Sequence, residues 1–168
     1  MRKMRYFCIM LACLSLFSAC RRNSRFDYSE LSRRLGEVNE SFSFRESDLF
    51  FSDGVYYVYY GFTAENDMLL TLKEDETGLL SEVTLSLDGD CPDAVPIFRT
   101  FSLVLADLFI PDVDGKDLAA ELGFDDPDSL LSARTARCAC GFYRADFFGT
   151  EQGAVFALKY GELYEKST

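Results

Sequence analysis

Histidine is missing from all 168 residues. With it go the usual general base, the commonest metal ligand and any Ser–His or Cys–His nucleophilic couple. Positive charge is scarce: 17 Lys and Arg against 28 Asp and Glu give a formal net charge of −11. That balance excludes nucleic acid as a partner, because its phosphates would be repelled, and it disfavours flat contact with anionic lipid. A permanent membrane span is missing too. The apolar stretch from Tyr6 to Cys20 would extend about 22 Å as a helix, short of the roughly 30 Å hydrocarbon core, and Arg21 and Arg22 close it off. No catalytic constellation and no cofactor-binding motif is recognisable, so the expectation is a protein that is not an enzyme.

What is present begins at the N-terminus. Arg2, Lys3 and Arg5 come without an acid, an apolar run from Tyr6 to Phe17 follows, and Ser18 and Ala19 are small. A basic head, a short apolar middle and small residues before a cut make residues 1–19 a signal peptide. Leu16-Phe17-Ser18-Ala19-Cys20 then resembles the lipobox of bacterial lipoproteins, an apolar residue and two small ones before a cysteine. The resemblance covers the first 20 residues, and no domain family is recognised in the rest. It implies that the Cys20 sulfur takes a diacylglycerol as a thioether, and that Cys20 becomes the first residue of the mature chain. The protein would then sit on the extracytoplasmic side of the cell membrane or outer membrane. At about 0.8 kcal/mol per buried methylene, two or three acyl chains anchor stably where one would not. Cys8 and Cys13 belong to the discarded peptide. Its loss removes three basic residues and no acid, moving the formal charge from −11 to −14.

Residues 20–25 form a short tether. Its Arg21, Arg22 and Arg25 either contribute about 1 kcal/mol each at an anionic surface or are simply a solvated linker. Residues 26–168 suit one domain with a real core, and 16 Phe and 9 Tyr argue for a folded interior rather than disorder. Asp27 with Glu30 marks a helix start, and Leu31, Leu35 and Val38 continue an apolar stripe to about residue 40. Ser43 to Phe51 reads as a first strand. Asp53-Gly54 is a hairpin turn, Val55 to Phe62 a second strand, and Met68 to Lys73 and Leu79 to Leu87 a third and fourth. Ala94 to Phe109 has helix length and one broad apolar face, with a buried strand as the runner-up for its second half. Asp114 caps a short helix that stops at Gly123. Arg134 to Phe148 and Ala154 to Leu163 flank Gly149–Gly153 as one long hairpin. The sum is α-β4-α-α-β2, an α+β domain with helices packed on one face of an antiparallel sheet.

Few residues stand out as sites. Cys138 and Cys140 alternate on a strand, near the limit for an unstrained bridge to each other, with no histidine or clear helix N-terminus to lower a thiol pKa. Together with Cys91 they are candidates for one structural disulfide or for thiols that simply pack; a redox pair ranks lower and metal ligation lowest. Asp112, Asp114, Gly115 and Glu121 match positions of a calcium loop, but the first ligand position falls on Ile110, and a capped helix accounts for them. The acids offer many carboxylate pairs, and no spacing selects one for hydrolysis. Tyr56, Tyr57, Tyr59 and Tyr60 are a candidate binding surface. Alternation puts Tyr57 and Tyr59 on one side and Tyr56 and Tyr60 on the other. The function expected is a membrane-anchored binding or scaffold module whose partner in the cell envelope is a protein or a glycan. The alternative is an envelope enzyme, a thiol oxidoreductase using Cys138 and Cys140 or a carboxylate hydrolase.

Overall fold

The computed structural model describes residues 25–64, 67–110, 113–124, 130–140 and 142–161. The signal peptide, the lipobox and Cys20 lie outside the described residues. Helix α1 spans Tyr28–Val38 and starts where the sequence signals it, with the Asp27 carboxylate accepting from Glu30 N. Seven strands follow in two runs: β1 (Phe50–Ser52), β2 (Val55–Tyr60), β3 (Met68–Glu74) and β4 (Leu80–Asp88), then β5 (Arg134–Cys140), β6 (Tyr143–Thr150) and β7 (Gly153–Tyr160). Between the runs lie α2 (Val95–Phe109) and α3 (Gly115–Leu122). All strands join one antiparallel sheet in the order β1-β2-β3-β4-β7-β6-β5. The architecture is α+β. No described helix is long and apolar enough to cross a membrane.

The turns explain how the meander closes. Asp53 and Gly54 both take positive φ, 51° and 79°, the two-residue conformation whose twist matches flanking strands, and Ser52 pairs with Val55 across it. Gly123 ends α3 in the left-handed region at φ 68°, and Phe124 N donates back to Ala119 O.

Two stretches differ from expectation. Ser43 to Phe51 is not one strand. The Asn39 side chain accepts from Ser41 N and opens a 3-10 turn at Glu40–Phe42, and Asp48 accepts from Arg45 N around a second at Glu46–Asp48. Phe44 donates its N–H to the Ser32 hydroxyl of α1, which in turn donates to Phe44 O. Side-chain acceptors thus take backbone donors that a ladder would have used, leaving a strand of three residues. At the other end, the expected two strands are three. The chain reverses after Cys140, which pairs with Tyr143, so the long segment folds into β5 and β6. A smaller shift occurs at Lys73/Glu74, where a bulge places Leu80 in the core.

The core lies between the helices and one side of the sheet. Leu31 and Leu35 of α1, Phe98, Phe101 and Leu105 of α2, and Leu118 and Leu122 of α3 meet Val58, Leu70, Leu85, Phe156 and Phe147 from successive strands. Phe42 stacks on Phe101 with centroids 4.2 Å apart, and Tyr60 meets Phe101 edge-on at 5.3 Å. The strand register makes the side that faces the helices explicit: Val58, Leu70, Leu85, Phe156 and Phe147 are mutual neighbours and all buried. The alternate residues of the same strands form the other side.

Candidate functional site

On the second side of the sheet Tyr59, Phe148, Lys73 and the β5 residues Thr135, Arg137 and Ala139 are exposed, Asp146 and Ala157 are buried, and the rest are half-buried. Reading the register across it gives three rows. The first runs Tyr59, Leu69, Ser86, Val155, Phe148 and Thr135, six strands wide, or about 24 Å at the usual strand spacing. The second runs Tyr57, Thr71, Thr84, Ala157, Asp146 and Arg137. The third runs Val55, Lys73, Glu82, Lys159, Arg144 and Ala139. An apolar band with an aromatic near each margin therefore lies beside a polar row and then a charged one. At the outer edge Phe50 of β1, 61 % exposed, approaches Tyr57 with ring centroids 6.3 Å apart.

The charged row is unusual for so acidic a chain. Asp146 is almost wholly buried and accepts from Arg137 Nε at 2.6 Å and from Arg144 Nε at 2.8 Å. Glu82 pairs with Lys159 at 2.9 Å and lies directly across from Lys73 in the register. Each carboxylate is thus set between two cations, so this side carries four cations against two acids within its rows. Asp88, an exposed acid at the far end of β4 on the same side, accepts from Asp90 N in the turn that leads to α2. An open depression of about 310 Å³ lies among Val55, Tyr57, Thr71, Lys73 and Glu82. Its lining thus joins a cation, Lys73, and a carboxylate, Glu82, to Tyr57 and Thr71.

The four tyrosines divide as alternation predicts. Tyr60 is buried on the helix side, donates to Phe42 O at 2.8 Å, and its hydroxyl is pushed far above its usual pKa, chiefly by burial. Tyr56 is half-buried between the Tyr28 and Phe51 rings, and burial raises its pKa as well. Both serve packing. Tyr57 and Tyr59 remain on the open side. The charged partners Lys73, Glu82, Asp146, Arg137, Arg144 and Lys159 were not singled out by sequence; each looks like an ordinary wet-face residue until the strands align.

Cys91 and Cys138 are not in a disulfide. Cys138 is half-buried against the core opposite Ala145 on the edge strand β5, and the side chain of Cys140 lies outside the described residues. Cys91 precedes a 3-10 turn beyond the end of β4, three strand spacings or about 14 Å from β5, and it forms no disulfide. Burial, and after it the charges of Asp88, Asp67, Asp90 and Asp93, push its thiol pKa up, away from nucleophilic use. In the calcium-like stretch Asp114 caps α3 by accepting from Lys116 N at 2.7 Å, and Glu121 points to solvent. Among the described residues no three Cys, Asp or Glu converge as metal ligands.

One further carboxylate is fully buried. Asp67 gathers Phe62 N, Thr63 N, Thr63 Oγ1 and Ala64 N on a single oxygen at 2.6–3.1 Å. It organises the β2–β3 connection rather than a ligand site. No family model, no curated protein and no solved structure matches the chain.

Proposed function

We propose that this protein is a lipid-anchored binding module of a bacterial cell envelope, held at the extracytoplasmic surface through Cys20 and acting through the open side of its sheet. The single observation that carries the binding role is that open side, an exposed aromatic and apolar band beside a cation-rich row on an otherwise acidic chain. Tyr59 and Phe148 are exposed on this side with Leu69 and Val155 half-buried between them, and exposed apolar surface bordered by polar residues marks interaction sites. Tyr and Arg are also the side chains most enriched where proteins bind. The anchor is supported by the lipobox resemblance alone. Only four residues separate Cys20 from Arg25, where the described chain begins beside Asp75, so at most about 17 Å of extended chain would lie between acyl group and domain. The module would act next to the bilayer.

The test is expression in a bacterium with export and lipoprotein processing intact, followed by two measurements. Mass spectrometry of the mature N-terminal peptide is expected to show Cys20 carrying diacylglycerol, and Cys20→Ser is expected to move the protein from the membrane pellet to the soluble fraction. Photo-crosslinkers placed on the open side (at Thr84) and on the outer face of α1 (at Arg33) are expected to capture envelope material from Thr84 alone. An unmodified N-terminus would remove the anchor, and equal capture from both positions would remove the binding face.

A further inference from the structure

We infer that the occupant of the open face is a protein segment that is amphipathic and acidic, its apolar side chains laid on the Tyr59–Phe148 band and its carboxylates turned to the Lys73–Arg144 row. This deepens the reading of that face as a binding surface and rests on it.

Three observations select this occupant. The first is the shape of the apolar band. From Tyr59 to Phe148 it runs across five strands for about 19 Å, the length of roughly 13 helical residues at 1.5 Å each. Leu69 and Val155, on either side of Ser86, lie between its aromatics, so the rings are joined by a mostly aliphatic strip rather than standing isolated. Aliphatic side chains complement such a strip better than the polar edges of a glycan do. The second is charge. In a chain of net charge −11, the rows place Lys73, Lys159, Arg144 and Arg137 around two carboxylates, with Lys159 paired to Glu82 and both arginines to Asp146. A row of this composition favours a partner that brings carboxylates to it. The third is the depression beside Lys73. Among the described residues its ammonium makes no ion pair, Glu82 being engaged by Lys159. A Glu or Asp entering there meets Lys73 in a wall that also holds Tyr57, Thr71 and the Lys159-paired Glu82.

The bilayer is the weaker occupant. The end of the sheet where the chain leads to Cys20 carries Asp53, Asp75 and Glu76 in its turns, which an anionic surface would repel. Lys73 borders those turns, while Lys159, Arg144 and Arg137 lie on strands β7, β6 and β5, which do not carry them.

The experiment uses the full-length lipoprotein in its native envelope, with a photo-crosslinking residue at Thr84, between the band and the charged row. Crosslinked products are digested, and the partner peptide is sequenced by mass spectrometry. The expected product is one polypeptide segment with net negative charge and apolar residues at helical spacing. Lys73→Glu with Lys159→Glu should lower its yield at least tenfold, and Tyr59→Ser with Phe148→Ser should do the same. Arg33→Glu, on the outer face of α1, should leave it unchanged. Circular dichroism melts of each variant check that the fold persists. Restoring the yield by exchanging partner carboxylates for lysines in the Lys73→Glu, Lys159→Glu background would fix the charge contact directly. Products that are lipid or glycan, or a protein segment without carboxylates, overturn the inference while leaving a binding face in place. No product from Thr84 in correctly folded, membrane-bound protein overturns the binding face itself.

Discussion

Removing the Asp146 carboxylate tests how the cation-rich row is built. Asp146→Ala takes away the acceptor of Arg137 Nε at 2.6 Å and of Arg144 Nε at 2.8 Å. The Asp146 side chain is 2 % exposed, but its partners are not equally sheltered: Arg137 is 41 % exposed and Arg144 18 %. The Arg137 pair is worth what half-exposed pairs usually are, about 0.5–1 kcal/mol. The Arg144 pair, more desolvated, is worth about 1.5–2 kcal/mol as a hydrogen bond to a charged group. Together the loss is about 2–3 kcal/mol, a fall in Tm of roughly 8–10 °C for a domain of this size. Urea unfolding at pH 7 measures it, with Asp146→Asn as an intermediate that keeps one oxygen and should lose about half as much. The same variant makes the open face more positive by one charge, so crosslinking of an acidic segment should hold or rise in the folded fraction. A stability change under about 0.5 kcal/mol would refute the account of the row as organised by this carboxylate, and weaker crosslinking at unchanged stability would refute the sign of its electrostatics.

Two further outcomes are expected. Asp67→Ala strips the acceptor from four donors in the β2–β3 connection and should cost about 2–3 kcal/mol at pH 7, read by urea midpoint. Burial works to raise the Asp67 pKa, but the hydrogen bonds from Thr63, Phe62 and Ala64 outweigh it and hold the carboxyl below its usual value. The stability it supplies is therefore complete above about pH 4 and lost as pH falls through the lower folded pKa, so the variant's deficit should shrink in strong acid. A deficit independent of pH would show that the charge is not what holds the loop. Gly149→Ala should destabilise by about 1–3 kcal/mol, because its Cβ would come within 2.5 Å of Leu130 O and 2.7 Å of Ser132 O, both backbone atoms. A melt unchanged from that of the parent would mean the Leu130–Ser132 segment does not press on β6.

Much of this architecture was legible because local chemistry and global fold agree. Asp27 caps α1, Asp53-Gly54 turns β1 into β2, and Gly123 stops α3, each where its side chain or backbone freedom requires it. The illegible parts are those where a side chain competes for the backbone. Ser32 engages Phe44 from twelve residues away, and Asp48 and Asn39 hold short turns in a stretch whose alternation suggests a strand. The reversal at Cys140–Tyr143 was hidden because residues on both sides of it alternate in the same manner. The candidate face was half visible. Period two separates Tyr57 and Tyr59 from Tyr56 and Tyr60 without any structure, yet it cannot say what stands beside them. That depends on β7 inserting between β4 and β6, a pairing of segments about 70 residues apart. Once Lys159 meets Glu82 on one side and Arg144 on the other, four charges that look like scattered solvent-facing residues (Lys73, Glu82, Lys159 and Arg144) become one row. A one-residue slip of β7 would turn Lys159 toward the core and Phe156 and Leu158 toward solvent, so burial of those two apolar side chains fixes the register that assembles the row. The packing of the helix side thereby determines the chemistry of the open side.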